Sequence, residues 1–123
     1  MLQQARLKIP PDTTIHCIAS DARQICTSAP FDRILLSYSL SLMPDPLRVL
    51  QTAYDHLIQG GVLVIADFGA MARWGLLGNV INWWIGKHSV RPAGPEIRRF
   101  ALRHPGTLYD VHLGYTLLAR IPS

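Results

Sequence analysis

Three polar residues stand where an open α/β sheet would use them. Asp21, Ser37 and Asp67 each end or follow a run that reads as a buried strand: residues 13–19 (TTIHCIA), 31–37 (FDRILLS) and 62–66 (VLVIA). Ligands of parallel sheets bind outside the carboxyl ends of the strands. Two carboxylates and a hydroxyl at such ends are therefore candidates to hold a polar ligand. The same residue types also cap turns, and their spacing leaves both roles open.

Other chemistries lack their residues. A serine hydrolase carries its nucleophile on a Gly-x-Ser-x-Gly elbow, and Leu36-Ser37-Tyr38-Ser39-Leu40 has no flanking glycine. His16, His56, His88, His104 and His112 are scattered, without the close pairing that zinc requires. Gly60-Gly61, Gly75 and Gly78 match neither common phosphate-loop pattern, which also weighs against a nicotinamide dehydrogenase. Cys17 and Cys26 form no metal or redox motif and are expected to be reduced, partly buried thiols.

The elements that must position these residues centre on residues 31–68. A strand over 31–37 leads to a loop over 37–43. Asp45-Pro46 then opens a helix, with a carboxylate at the N-cap and a proline where its missing N–H costs nothing. Leu47, Leu50, Tyr54, Leu57 and Ile58 share one face of that helix. Gly60 is expected to end it, and Gly61 to start the strand over 62–66, apolar on both faces as in a covered parallel sheet. Around this βαβ unit the pattern predicts a helix over 1–9, stopped by Pro10-Pro11, and a strand over 13–19. A short helix or turn follows over 23–28, then a helix over 96–103, and a hairpin of 107–111 with 115–121.

The chain has 123 residues, 49% of them hydrophobic and 16% charged, which suits a single domain with a real core and excludes a disordered profile. A net charge of +4 permits attraction to acidic lipid surfaces but is no nucleic-acid signature, and no nucleic-acid partner is expected. No secretory leader pattern stands at the start, so a cytoplasmic location is expected. Residues 69–86 (GAMARWGLLGNVINWWIG) are too short and too polar for a membrane span and read as one helix, or two broken near Gly78. Trp74, Trp83 and Trp84, followed by Lys87, His88 and Arg91, fit either core and lid packing or an interfacial patch that meets lipid headgroups.

The order of these pieces resembles the class I S-adenosylmethionine-dependent methyltransferases. Phe31-Asp32, Ser37 to Leu40, Gly60-Gly61 and Asp67 match in order and spacing that family's fourth strand, its following loop, the helix end and the fifth strand. Met1-Leu2-Gln3-Gln4-Ala5-Arg6 is similar to the helix after the family's second strand, and Asp21-Ala22 resembles its adenine-contacting acidic site. Ser37 to Pro44, Asp67-Phe68 and Gly114-Tyr115 look most like the lipid-headgroup N-methyltransferases acting on phosphatidylethanolamine or betaine-lipid precursors.

The resemblance implies an α/β fold: an incomplete Rossmann-like methyltransferase sheet, with parallel strands, a C-terminal antiparallel hairpin and helices on both faces. It implies S-adenosylmethionine as cofactor, with Met1, Asp21, Ala22, Ser37 and Tyr38 on its side, and Asp67, Trp74, His88 and Tyr109 toward a small-molecule or lipid acceptor. Tyr38, His88 and Tyr109 are unranked candidates to take a proton from an amine, and peripheral membrane contact is a further expectation. The family's Gly-rich loop and its ribose-binding acidic residue would precede Met1, so a single truncated domain is expected. The strand over 13–19 would then be left unpaired or would pair with 31–37. The rival readings are a non-catalytic remnant and a membrane-surface module built on residues 74–91.

Overall fold

The computed structural model describes residues 2–11, 14–25, 27–69, 79–80, 83–84, 91–112 and 115–123. Helix α1 spans Leu2–Leu7, and a one-turn 3₁₀ segment spans Ala22–Gln24. Strand β1 (Phe31–Ser37) leads through a 3₁₀ turn (Leu40–Leu42) into helix α2 (Pro46–Asp55) and strand β2 (Leu57–Phe68). Helix α3 (Gly94–Ala101), strand β3 (Thr107–Val111) and strand β4 (Thr116–Pro122) complete the order. The four strands form one sheet in the order β1-β2-β4-β3. β1 runs parallel to β2, while β4 is antiparallel to both β2 and β3. The expected α/β sheet, with its parallel pair and C-terminal hairpin, is therefore present.

Side-chain alternation decides which face is the core. Leu63 and Ile65 of β2 point to the same side as Leu117, Ala119 and Ile121 of β4, and all are buried. Val49, Leu50 and Ala53 of α2 and Ile97, Phe100 and Ala101 of α3 close over them. On the other face Leu35 is 67% exposed, Tyr109 56% and Val64 36%. The 62–66 stretch, expected to be enclosed on both faces, is thus half-buried. Its apolar run reflects one packed side and one side open among the described residues.

Two expectations are corrected. The strand over 13–19 does not form: its described part, residues 14–19, joins no ladder, and Ile15 and Ile18 are 50% and 63% exposed. Of the two fates open to it, this stretch stays unpaired, and alternation alone cannot hold a strand without partners for its backbone groups. Helix α2 ends at Asp55, short of Gly60, so Leu57 and Ile58 belong to β2. The His56 carbonyl accepts from Phe31 N at 2.7 Å, and this bond starts the ladder before the glycines arrive.

The glycines instead shape an irregularity in that ladder. Phe31 pairs with Leu57 and Arg33 with Val62, so Asp32 alone is opposed by Ile58, Gln59, Gly60 and Gly61. Gly60 adopts φ +80°, a conformation natural to glycine. At Gly61 a Cβ would lie 2.9 Å from the Ile58 carbonyl oxygen and 3.0 Å from that of Asp32. The N-cap of α2 is as the sequence predicts, with the Asp45 side chain accepting from Arg48 N at 3.2 Å. Helix α3 begins two residues before the expected 96 because Pro95 fits its first turn.

This packing predicts an asymmetric response to truncation. Leu63→Ala, at a fully buried position, is expected to lose about 2–5 kcal/mol in urea unfolding, whereas Leu35→Ala on the open face stays within about 0.5 kcal/mol of the parent.

Candidate functional site

The parallel pair places the carboxyl ends of β1 and β2 side by side, with Ser37 opposite Ala66. The ladder continues one step, as Tyr38 N donates to the Ala66 carbonyl at 2.7 Å. Tyr38 then takes φ +46°, a left-handed conformation that a bulky residue holds only when its surroundings impose it. Those surroundings are visible. The Tyr38 hydroxyl lies 3.1 Å from Thr116 Oγ1, and its ring packs edge-on against Phe68 at 5.1 Å. Phe68 packs in turn on Tyr115 at 5.6 Å. Three aromatic rings therefore line the sheet edge, and Tyr38 and Tyr115 remain partly exposed.

Asp67 occupies the adjacent position and faces the core. Its carboxylate is fully buried. It accepts from Leu40 N at 2.8 Å, from Phe68 N at 2.8 Å and from the Ser41 hydroxyl. Ser41 passes the connection on, because its Oγ accepts from Ala93 N at 3.2 Å and its carbonyl from Arg91 N at 3.1 Å. One carboxylate thereby ties the loop after β1 to the segment before α3. Between them lies a cavity of about 380 Å³, lined by residues of 40–46 and 91–96, including Arg91 and Glu96.

A second hollow, about 390 Å³, is lined by Ala22 together with His16, Ile18, Ser20, Ile25, Thr27 and Phe31. Phe31 is at the amino end of β1, so this hollow runs back from the carboxyl edge of the sheet. Asp21 caps the Ala22–Gln24 turn, accepting from Arg23 N at 2.9 Å, and is bridged by the Arg23 guanidinium at 2.6 Å. Hydrogen bonding to the Arg23 side chain, and then to its backbone N–H, lowers the Asp21 pKa from 3.8 to about 2.

The expected site residues thus separate. Ser37 and Tyr38 share the carboxyl edge. Asp67 stands beside them but is enclosed, so it positions the loop where an acceptor-facing side chain was expected. Ala22 lines the second hollow, which includes neither Ser37 nor Tyr38. Tyr109 is on β3, three strand spacings or about 14 Å from β1 along the sheet. Met1, Trp74 and His88 lie outside the described residues. Sequence reasoning missed Ser41, Thr116 and Glu96. Asp67 shares the alternation of Leu63 and Ile65, and that parity was the available sign that it turns inward and must find donors. Among the described residues no group of His, Cys, Asp and Glu is arranged to hold a metal.

A parallel β1–α2–β2 unit with loops at its carboxyl edge and an antiparallel hairpin beyond is the sheet of a Rossmann-like methyltransferase. The methyltransferase domain family matches residues 1–65, more than half of the 123 residues, and the chain belongs to that family. No curated protein matches the chain. Among solved structures it is similar to the N-methyltransferase NodS from Bradyrhizobium japonicum WM9 in complex with S-adenosyl-L-homocysteine, at 18% identity and a TM-score of 0.59. That match covers 86% of this chain and 53% of NodS. A second NodS structure matches at 22% identity and a TM-score of 0.53, covering 86% of this chain and 58% of that one. The chain thus spans a little over half the length of these enzymes, and at such identities the likeness carries the fold.

Two outcomes test this geometry. Asp67→Ala strands buried donors of Leu40, Phe68 and Ser41 and is expected to cost about 3 kcal/mol or more in chemical denaturation, against about 1 kcal/mol for Ser41→Ala. Asp21 has a folded pKa below its unfolded one, so its contribution to stability is present above the ordinary 3.8 and lost as pH falls toward about 2. Arg23→Gln is expected to return the Asp21 carboxyl titration, followed by NMR, toward the ordinary value.

Proposed function

We propose that the chain carries the acceptor side, and part of the cofactor side, of an S-adenosylmethionine-dependent methyl transfer to an amine of a small molecule or lipid headgroup. The observation that supports it best is the family match over residues 1–65 joined to a parallel β1–α2–β2 unit whose carboxyl edge is locked by Asp67. The cofactor, when bound, supplies a methyl group on a sulfonium, and its in-line transfer depends on placement and exclusion of water more than on covalent help.

The residues at hand serve that task unequally. Ser37 and Tyr38 present polar and aromatic surface at the strand ends, with Tyr38 held by Thr116 and Phe68. Ala22 and the apolar wall of the second hollow suit a flat heterocycle. Asp21 fits an adenine amino group less well as it stands, because Arg23 already occupies its carboxylate oxygens. An acceptor amine must lose a proton, and the Tyr38 hydroxyl is the described candidate base at this edge.

A lipid headgroup as acceptor, of the phosphatidylethanolamine or betaine-lipid type, is the narrower form of this reading, with a cytoplasmic protein meeting the membrane from its surface. Exposure of Trp83 (69%), Trp84 (59%) and Val80 (61%) favours such contact. No helix among the described residues is long and apolar enough to cross a membrane.

Adding S-adenosylhomocysteine at a hundredfold excess over its Kd is expected to stabilise the chain by about 2.7 kcal/mol, raising its melting midpoint by several degrees. An unchanged midpoint at saturating ligand would instead favour a remnant that binds no cofactor. Surface contact is checked by co-sedimentation with anionic vesicles at low salt, where attraction is greatest. Trp83→Ala with Trp84→Ala is expected to reduce the bound fraction.

A further inference from the structure

The sheet face turned away from α2 and α3 carries a pattern that neither the core nor the carboxyl edge uses. Strand register sets its residues in rows. Leu35, Val64, Arg120 and Thr107 form one row across β1, β2, β4 and β3. Arg33, Val62 and Pro122 form the row on one side of it, and Ser37, Ala66, Leu118 and Tyr109 the row on the other. Arg33, Leu35, Val64, Tyr109 and Arg120 are all exposed. A contiguous apolar patch at the surface marks a contact, and parallel strands are ordinarily covered on both faces.

The charge on this face has one sign. No aspartate or glutamate stands at any of its positions in the four strands. Among the described residues no acid pairs with Arg33 or Arg120. The two arginines are two strands apart and offset by two residues, about 12 Å on ordinary sheet spacings. Val62 and Val64 lie between them.

These features select an occupant. A second copy laid face to face would bring guanidinium groups of like charge into the contact. The chain's own apolar segments outside the sheet fare no better, because residues 1–9 and 70–91 hold arginine and lysine but no aspartate or glutamate. A bilayer surface is flat, whereas a twist of about 20–25° per strand turns β3 well away from β1, so one plane cannot meet the whole face. A helix can lie along a single diagonal of such a sheet.

We propose that this face docks an acidic amphipathic helix of a partner protein, with carboxylates seven residues apart and apolar side chains between them. Seven residues of helix span about 10.5 Å and return to the same side. The carboxylates meet Arg33 and Arg120, whose guanidinium groups suit them. The apolar residues three and four positions along settle on Val62 and Val64. This contact goes beyond the methyl-transfer reading and stands whether or not the chain binds a cofactor.

Fluorescence anisotropy titration of the whole chain at low salt tests it with two labelled helical peptides. Each carries a leucine stripe, flanked in one by glutamates seven residues apart and in the other by lysines at the same places. The glutamate peptide is expected to bind about tenfold tighter or more, since the exchange replaces attraction by like-charge repulsion. Added salt narrows that gap. Arg33→Glu with Arg120→Glu is expected to reverse the preference, which loss of structure cannot do. Equal binding of the two peptides, or binding of neither, overturns the proposal, as does a folded double variant that still prefers glutamate. The preference of the unsubstituted chain decides alone if the variant fails to fold. Leu35→Asp names the occupant of an overturned face. Binding of neither peptide, beside a dimer in sedimentation velocity that Leu35→Asp disperses, gives the face to a second copy. Binding of neither, beside retention on phosphatidylglycerol vesicles that Leu35→Asp abolishes, gives it to lipid.

Discussion

A single buried carboxylate sets the geometry of the functional edge. Asp67 has been taken out of water, and such a group persists only where donors surround it. Those donors come from its own strand end, from the loop after β1 and, through Ser41, from the segment before α3. Pieces distant in sequence are thereby fixed relative to one another at the place where the sheet stops. The apolar core beneath would be satisfied by many loop conformations, whereas the carboxylate admits few.

The consequence for chemistry is a division of labour. The inward-facing residue of the strand end builds the loop, while its neighbour Phe68 and the Tyr38 ring pack together on the other side. The left-handed backbone at Tyr38 belongs to the same arrangement, since a strained residue is held by a ladder bond on one side and a hydroxyl contact on the other. The strand ends are thus held by specific contacts on both sides.

Much of this fold is legible in the amino-acid sequence wherever one residue type has one physical use. Asp45-Pro46 starts a helix because a carboxylate cap and a proline at the first turn serve no other local purpose so well. The hairpin of β3 and β4 follows from two β-prone runs close together. Ambiguity enters where one residue serves two patterns. Leu57 and Ile58 continue the apolar face of α2 and also start a strand, and the His56–Phe31 bond decided for the strand. Residues 14–19 alternate like a strand but join no ladder. Ser37 and Tyr38 were found at the edge because position alone defines it. Ser41 was not, because its role depends on contacts across the chain that no local spacing encodes.

The irregularity at Gly60-Gly61 bears on how this unit can change over evolutionary time. Residues 58–60 lie in a slack stretch opposed by Asp32 alone. A residue gained or lost there alters the link between helix and strand without moving Asp67 relative to Ser37. From Val62 to Ala66 every residue is matched one to one with β1, and from Val62 to Phe68 with β4. An insertion in that part would exchange the two sides of the strand, turning Asp67 to solvent and Phe68 into the core. Descendants of this sequence are therefore free to vary in length just before Gly61 and are held to a fixed length just after it.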